Sequence, residues 1–191
     1  MILHDKHDHV TKAHIHDMLQ EKYYGTSAFC IINKEWLKKF VADYFEIITE
    51  ALKEGYAVEM HMFGTFKVKD NKKTITKNTV AFSSCKYINE NAIESTDVRF
   101  TNDDIVDSLC KHFFPNGETE KRIARRGLPE AIVCLQETMK NELVNGKKIA
   151  IDNFGVIYAE TKECYGTKNG VTRMRTRGLF NPSKELLEKI N

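Results

Sequence analysis

The strongest constraint in this sequence is that it repeats itself. Thr11-Lys-Ala-His-Ile15-His-Asp17-Met-Leu19 returns ninety positions later as Thr101-Asn-Asp-Asp-Ile105-Val-Asp107-Ser-Leu109. Ile48, Leu52, Gly55, Val58, Met60, Phe63 and Gly64 return ninety-one positions later as Met139, Leu143, Gly146, Ile149, Ile151, Phe154 and Gly155. A pattern held over some fifty positions with one residue of drift marks one supersecondary unit used twice. At 191 residues the chain has room for two such compact units and little else.

Each copy reads helix, helix, strand, strand. The first helices open at Thr11 and Thr101, hydroxyl residues suited to the unpaired N–H groups of a first turn. Their apolar stripes are Ile15, Met18, Leu19 and Ile105, Val106, Leu109. The second helix of the first copy has Asn33 as its expected cap and a broad stripe from Trp36 and Leu37 through Phe40, Val41, Tyr44, Phe45 and Ile48 to Leu52. Its counterpart carries Ile132, Leu135, Met139 and Leu143, with Pro129 fitting the first helical position. Gly55 and Gly146 sit where a helix end needs a left-handed residue. Alternation at Val58/Met60 and Ile149/Ile151 then predicts strands with those residues inward. The Phe-Gly pairs Phe63-Gly64 and Phe154-Gly155 predict a tight bend or close backbone approach.

Composition narrows the function classes. Hydrophobic residues at 41% and charged residues at 29%, with only 3 Pro, suit a folded globular chain. No apolar run reaches the roughly 18 residues of a membrane span, and the opening His4-Asp-Lys-His7-Asp-His9 is too polar for a signal-peptide core. Five scattered cysteines without C-x-x-C spacing predict neither a disulfide framework nor a thiolate zinc site. The formal charge of +2, with 14 basic and 14 acidic residues before position 101, is far from the field of a protein that coats nucleic acid.

Taken together, Phe45-Glu-Ile-Ile-Thr-Glu-Ala-Leu-Lys-Glu-Gly55 and Val58-Glu-Met-His-Met-Phe63-Gly64-Thr65-Phe66 resemble the HU and integration-host-factor family of DNA-bending proteins. The ending Gly178-Leu-Phe180-Asn-Pro-Ser-Lys184-Glu-Leu186 looks like that family's closing phenylalanine and C-terminal helix. Val98-Arg-Phe100-Thr101 offers a like closure for the first copy, so that helix 101–113 could serve both. The resemblance implies an α+β fold of two fused units, each two helices and a three-stranded antiparallel sheet drawn out into a β-arm. The expected divisions are a polar His-rich extension at 1–10, unit 1 at 11–100 and unit 2 at 101–191. It also implies association, because family members are obligate dimers and a lone copy would expose its helix stripes.

Family arms end in Arg-Asn-Pro, whose proline wedges between base pairs. Counting along from Phe66 and Ile157 puts the tips here at Asn78-Thr79 and Asn169-Gly170, which keep the Lys-Asn and lack the proline. The stretch with Val80, Phe82, Tyr87 and Ile88 is more apolar than a strand lying on phosphates, and is expected to meet protein. Against this, Arg173, Arg175 and Arg177 fall on one strand face, and with Lys67, Lys69, Lys72, Lys73, Lys77 and Lys168 they form the candidate nucleic-acid surface. Arg122, Arg125 and Arg126 read as a solvated connection.

The cluster His4, His7, His9, His14, His16 with Asp5, Asp8 and Asp17 could chelate a metal but reads as a polar tail, so no metal and no cofactor is expected. No cysteine has an evident base, and no nucleotide loop or nucleophile triad is present; no catalytic residue and no enzyme activity is expected. Two readings follow. In the first, the chain is a structural protein that resembles the HU-like ring proteins of tailed, crAss-like bacteriophage virions. It would then be made in the host cytoplasm and partnered by copies of itself and other virion proteins in a tail or neck. In the alternative, it is an architectural binder of double-stranded DNA in the cytoplasm or nucleoid. Neither reading involves a membrane.

Overall fold

The computed structural model describes residues 9–23, 34–61, 63–70, 78–84, 98–165 and 172–191. Along the chain run β1 (His9–Thr11), α1 (Lys12–Tyr23), α2 (Lys34–Lys53), β2 (Ala57–Met60), β3 (Gly64–Asp70), β4 (Asn78–Ser84) and β5 (Arg99–Phe100). Then follow α3 (Asn102–Phe113), α4 (Glu118–Val144), β6 (Lys148–Ile151), β7 (Gly155–Tyr165), β8 (Thr172–Pro182) and α5 (Lys184–Ile190). The order strand, helix, helix and three strands therefore occurs twice, and the fold is α+β as expected.

The helix stripes bury as their spacing predicts. Ile15 and Leu19 on α1, Ile105, Val106 and Leu109 on α3, and Leu37, Phe40, Tyr44, Ile48 and Leu52 on α2 all lie in one core. That core is continuous through both halves: Phe45 meets Phe154 at 5.2 Å between ring centres, and Phe66 meets Phe154 at 5.3 Å and Phe180 at 5.1 Å. Each first helix packs on both second helices, α1 on α2 and α4, α3 on α4 and α2. Their starts are built alike. At α3 the Asp104 carboxylate accepts from the Thr101 N–H at 2.7 Å; at α1 the His14 Nδ1 takes the Thr11 N–H at 3.2 Å.

Two sheets lie against the helices, one ordered β4-β3-β2-β5 and the other β1-β6-β7-β8. The short leading strands exchange. β1 pairs parallel with β6 of the second half, and β5 pairs parallel with β2 of the first. The polar extension expected through residue 10 thus gives way to structure at His9, and Val10 is buried.

Pro129 does not start its helix. α4 begins at Glu118 and runs through it, because Ala124 and Leu128 keep the helical period and are buried ahead of the proline. The missing N–H removes one intrahelical bond, to the Arg125 carbonyl, rather than ending the helix. Asn33 lies outside the described residues, as does the side chain of Trp36.

Gly64 and Gly155 make the close approach their sequence context suggests. At φ +150° and +146°, a Cβ on either would fall 2.4 Å from the Ser83 carbonyl or 2.3 Å from that of Asn181, and within 3 Å of the Phe82 or Phe180 ring. Phe82 and Phe180 therefore occupy equivalent places. The phenylalanine that closes the first copy is Phe82 and not Phe100, which belongs to the leading strand β5. Sequence offset concealed this because the hairpins differ in length. Gly64 pairs with Ser84, twenty positions on, whereas Gly155 pairs with Pro182, twenty-seven on.

Candidate nucleic-acid interface

Strand alternation sorts the hairpin residues onto two faces. In β3/β4, Phe66↔Phe82 and Val68↔Val80 face the helices, and Thr65↔Ser83, Lys67↔Ala81 and Lys69↔Thr79 face away. In β7/β8, Ile157↔Phe180 and Ala159↔Gly178 face inward; Tyr158↔Leu179, Glu160↔Arg177, Lys162↔Arg175 and Cys164↔Arg173 face away. The outer faces of the two hairpins thus carry Lys67, Lys69, Lys162, Arg177 and, by register, Arg173 and Arg175. Lys69, Lys162 and Arg177 are exposed, and Lys67 is half-buried. The side chains of Arg173 and Arg175 lie outside the described residues.

The second hairpin is the longer ladder, with eleven pairs from Gly155↔Pro182 to Tyr165↔Thr172. Beyond Ala159 it has no buried side chain among the described residues, and Thr161 and Thr176 join across it by a hydroxyl hydrogen bond of 2.7 Å. Lys162 holds the Glu160 carboxylate at 3.0 Å, so the one acidic residue of this face is partly neutralised. A strand that carries Arg173, Arg175 and Arg177 at alternate positions, with Lys162 opposite Arg175 in the register, suits phosphate oxygens, to which Arg offers paired donors. Sequence reading missed Lys162, because only the β7/β8 register sets it opposite Arg175.

Other expected positions come out differently. Asn78 and Thr79 are not a tip. They begin the returning strand β4, opposite Asp70 and Lys69, because the first hairpin is the shorter one. Asn78 is held there by Asn191, whose Oδ1 accepts the Asn78 N–H at 2.6 Å and whose Nδ2 donates to its carbonyl at 3.3 Å. Val80 and Phe82 are not an outer surface. Val80 is buried, and the Phe82 ring packs on Phe66 at 4.6 Å and Phe63 at 5.4 Å. Tyr87, Ile88, Lys72, Lys73, Lys77, Lys168, Asn169 and Gly170 lie outside the described residues.

Of the histidines, His14 caps α1, and His16 is buried on it with Nδ1 2.9 Å from the Asp17 carboxylate. Among the described residues no three His, Cys, Asp or Glu side chains converge as a metal site. Burial raises the Cys110 thiol above its usual range, despite the nearby Arg125, which opposes a thiolate role. No helix among the described residues is long and apolar enough to cross a membrane.

Charge is segregated, which the near-zero total hides. The hairpin faces gather lysine and arginine, and the last turns of α2 and the residue after it gather the exposed Glu46, Glu50 and Glu54 beside the less exposed Asp43. No curated protein matches the chain. The family model described as "Bacterial DNA-binding protein" matches residues 9–82, under half of the 191; the match opens at β1 and closes at Phe82, the span of one strand-helix-helix-hairpin unit. Over that unit the chain is similar to the DNA-binding family that its helix, glycine and Phe-Gly-Thr-Phe pattern resembles.

Proposed function

We propose that this chain is a single-chain architectural binder of double-stranded DNA, two HU-like units fused and closed on each other as a pseudo-dimer, that grips duplex by its backbone without reading base edges. One observation carries the reading: the cationic face of the long hairpin, Lys162 with Arg173, Arg175 and Arg177, in a chain whose first half is similar to bacterial DNA-binding proteins. The exchanged leading strands and the shared core support the fusion, with units running from about β1 to the end of β4 and from β5 to α5. A cytoplasmic or nucleoid location goes with this function.

The lack of a proline at Asn169-Gly170 argues for grip without a wedge, hence a shallower bend than an intercalating arm produces. The reading as a virion ring component takes Val80, Phe82, Tyr87 and Ile88 as a surface for neighbours. Val80 and Phe82 pack inside their own chain, which removes those two from it, and Tyr87 and Ile88 lie outside the described residues.

The test is binding of the full chain to a duplex of about 35 base pairs as salt rises, the affinity falling with a log–log slope near −0.9 per phosphate neutralised. The variant Arg173→Ala/Arg175→Ala/Arg177→Ala should lower the slope by about 3 with the fold unchanged by circular dichroism. A folded chain that fails to bind duplex at about 50 mM salt, or a variant with the parent slope, would exclude the proposal.

A further inference from the structure

Between α2 and α3 lies a groove of about 320 Å3, floored by Ile47 and Phe100 and edged by Asp43, Glu46, Glu50 and Glu54. Asp43 is matched by His112 at 3.4 Å and Glu50 by Lys53 at 3.1 Å; Glu46 and Glu54 have no ion-pair partner among the described residues. The fold builds an equivalent groove between α1 and α4, lined by Met18, Glu21, Lys22, Thr138, Asn141 and Glu142. There the places of Glu50 and Glu54 are taken by Asn141 and Asn145, ninety-one positions on, and that of His112 by Lys22, ninety back. Glu137 keeps the place of Glu46, and Glu21 and Glu142 also line the second groove, so what sets the first groove apart is its unbroken row of three glutamates.

Spacing identifies what would fit. Glu46 and Glu50 in α2 and Glu54 just past its end stand at four-residue steps, about 6 Å apart along the helix direction at 1.5 Å per residue. The Glu54 N–H still donates to the Glu50 carbonyl at 3.0 Å. Arg173, Arg175 and Arg177 stand at two-residue steps on one face of β8, about 6.6 Å apart at 3.3 Å per residue. The two rows run at nearly the same pitch, with opposite charge. Arginine stems can lie over Ile47 and Phe100 while the guanidiniums reach the carboxylate rim.

We propose that the long hairpin of one copy docks its Arg173-Arg175-Arg177 face into the α2–α3 groove of a second copy. Hairpin and groove are different surfaces, so the contact is heterologous and propagates into a chain or ring instead of stopping at a symmetric pair. It does not depend on the DNA-binding proposal. If both hold, the same arginines serve both partners, and duplex disassembles the oligomer.

The experiment is sedimentation of the full chain, without DNA, at tens of micromolar. In about 50 mM salt the mass should exceed the 22.1 kDa of one chain, and in about 500 mM salt it should return to it as the contact is screened. Glu46→Gln/Glu50→Gln/Glu54→Gln should remain monomeric in low salt. Glu46→Lys/Glu50→Lys/Glu54→Lys and Arg173→Glu/Arg175→Glu/Arg177→Glu should each stay monomeric alone and associate when mixed. A parent chain that is monomeric in low salt, a glutamine variant that associates as the parent does, or a mixture that stays monomeric overturns the proposal. None of these outcomes involves DNA, so failure here is separate from failure of the DNA-binding reading.

Discussion

The Gln136 side-chain amide of α4 donates to the Tyr44 hydroxyl of α2 at 3.0 Å, in the middle of the core, and also to Asn102 of α3 at 2.8 Å. One polar contact thus ties together helices from both halves, where the pseudo-equivalent positions are the apolar Phe45 and Leu135. Gln136→Ala leaves the buried hydroxyl without that partner and should cost about 2–4 kcal/mol by urea denaturation. Tyr44→Phe with Gln136→Leu removes both polar groups and should fall within about 1.5 kcal/mol of the parent. A double variant as unstable as the single would show that the pair does more than satisfy itself.

The same tyrosine sets an alkaline limit. Burial pushes the Tyr44 phenol far above the usual tyrosine range, and the Gln136 hydrogen bond draws it only partly back. A group raised in the folded state contributes stability that is complete below its unfolded value, about 10 for tyrosine, and is lost as pH climbs beyond that. Stability should decline above about pH 10 by up to roughly 1.4 kcal/mol per unit, and Tyr44→Phe should flatten that decline. Urea melts of both chains at successive pH values read the difference directly.

Gly155 and Gly55 should respond differently to alanine. A Cβ at Gly155 meets backbone and ring atoms under 3 Å away, so the hairpin must shift; a loss of about 3 kcal/mol or more is expected. At Gly55 (φ +89°) the space is open, so only the left-handed backbone resists, at about 1–2 kcal/mol. Thermal melts of the two variants should rank them in that order.

Because β1 and β5 exchange between halves and the core is continuous, neither half should unfold alone. The single tryptophan, Trp36 in the first half, and the whole-chain circular dichroism should report one coincident transition. Val10→Asp places a charge at a buried site of the β1–β6 pair and should shift both probes together, by about 3 kcal/mol or more. A transition that separates by probe would mean that the halves are independent.

Local periodicity made much of this legible. The stripes of α1, α2 and α3, the turns at Gly55 and Gly146 and the close approaches at Gly64 and Gly155 follow from residues within a few positions of one another. What failed depended on distant partners. Pro129 looked like a helix start because the helix ahead of it is held by packing on α3, which no local rule contains. Asn78 looked like an arm tip because a single offset was carried past Gly64, and only the Ser84 and Pro182 pairings reveal that the second hairpin is seven positions longer. Phe100 looked like a closing residue because a two-residue strand is too short to have a period.

By itself, then, the sequence determined that one helix-helix-strand pattern is used twice, which face of each helix turns inward and which residues carry positive charge. Tertiary structure decided which half each leading strand joins, which hairpin is long, and that the arginines and the carboxylates gather on different surfaces. The division has a physical cause. The spacing of apolar residues specifies which side must leave water, but burial is satisfied by any matching apolar surface, so the partner is chosen only when the whole chain packs.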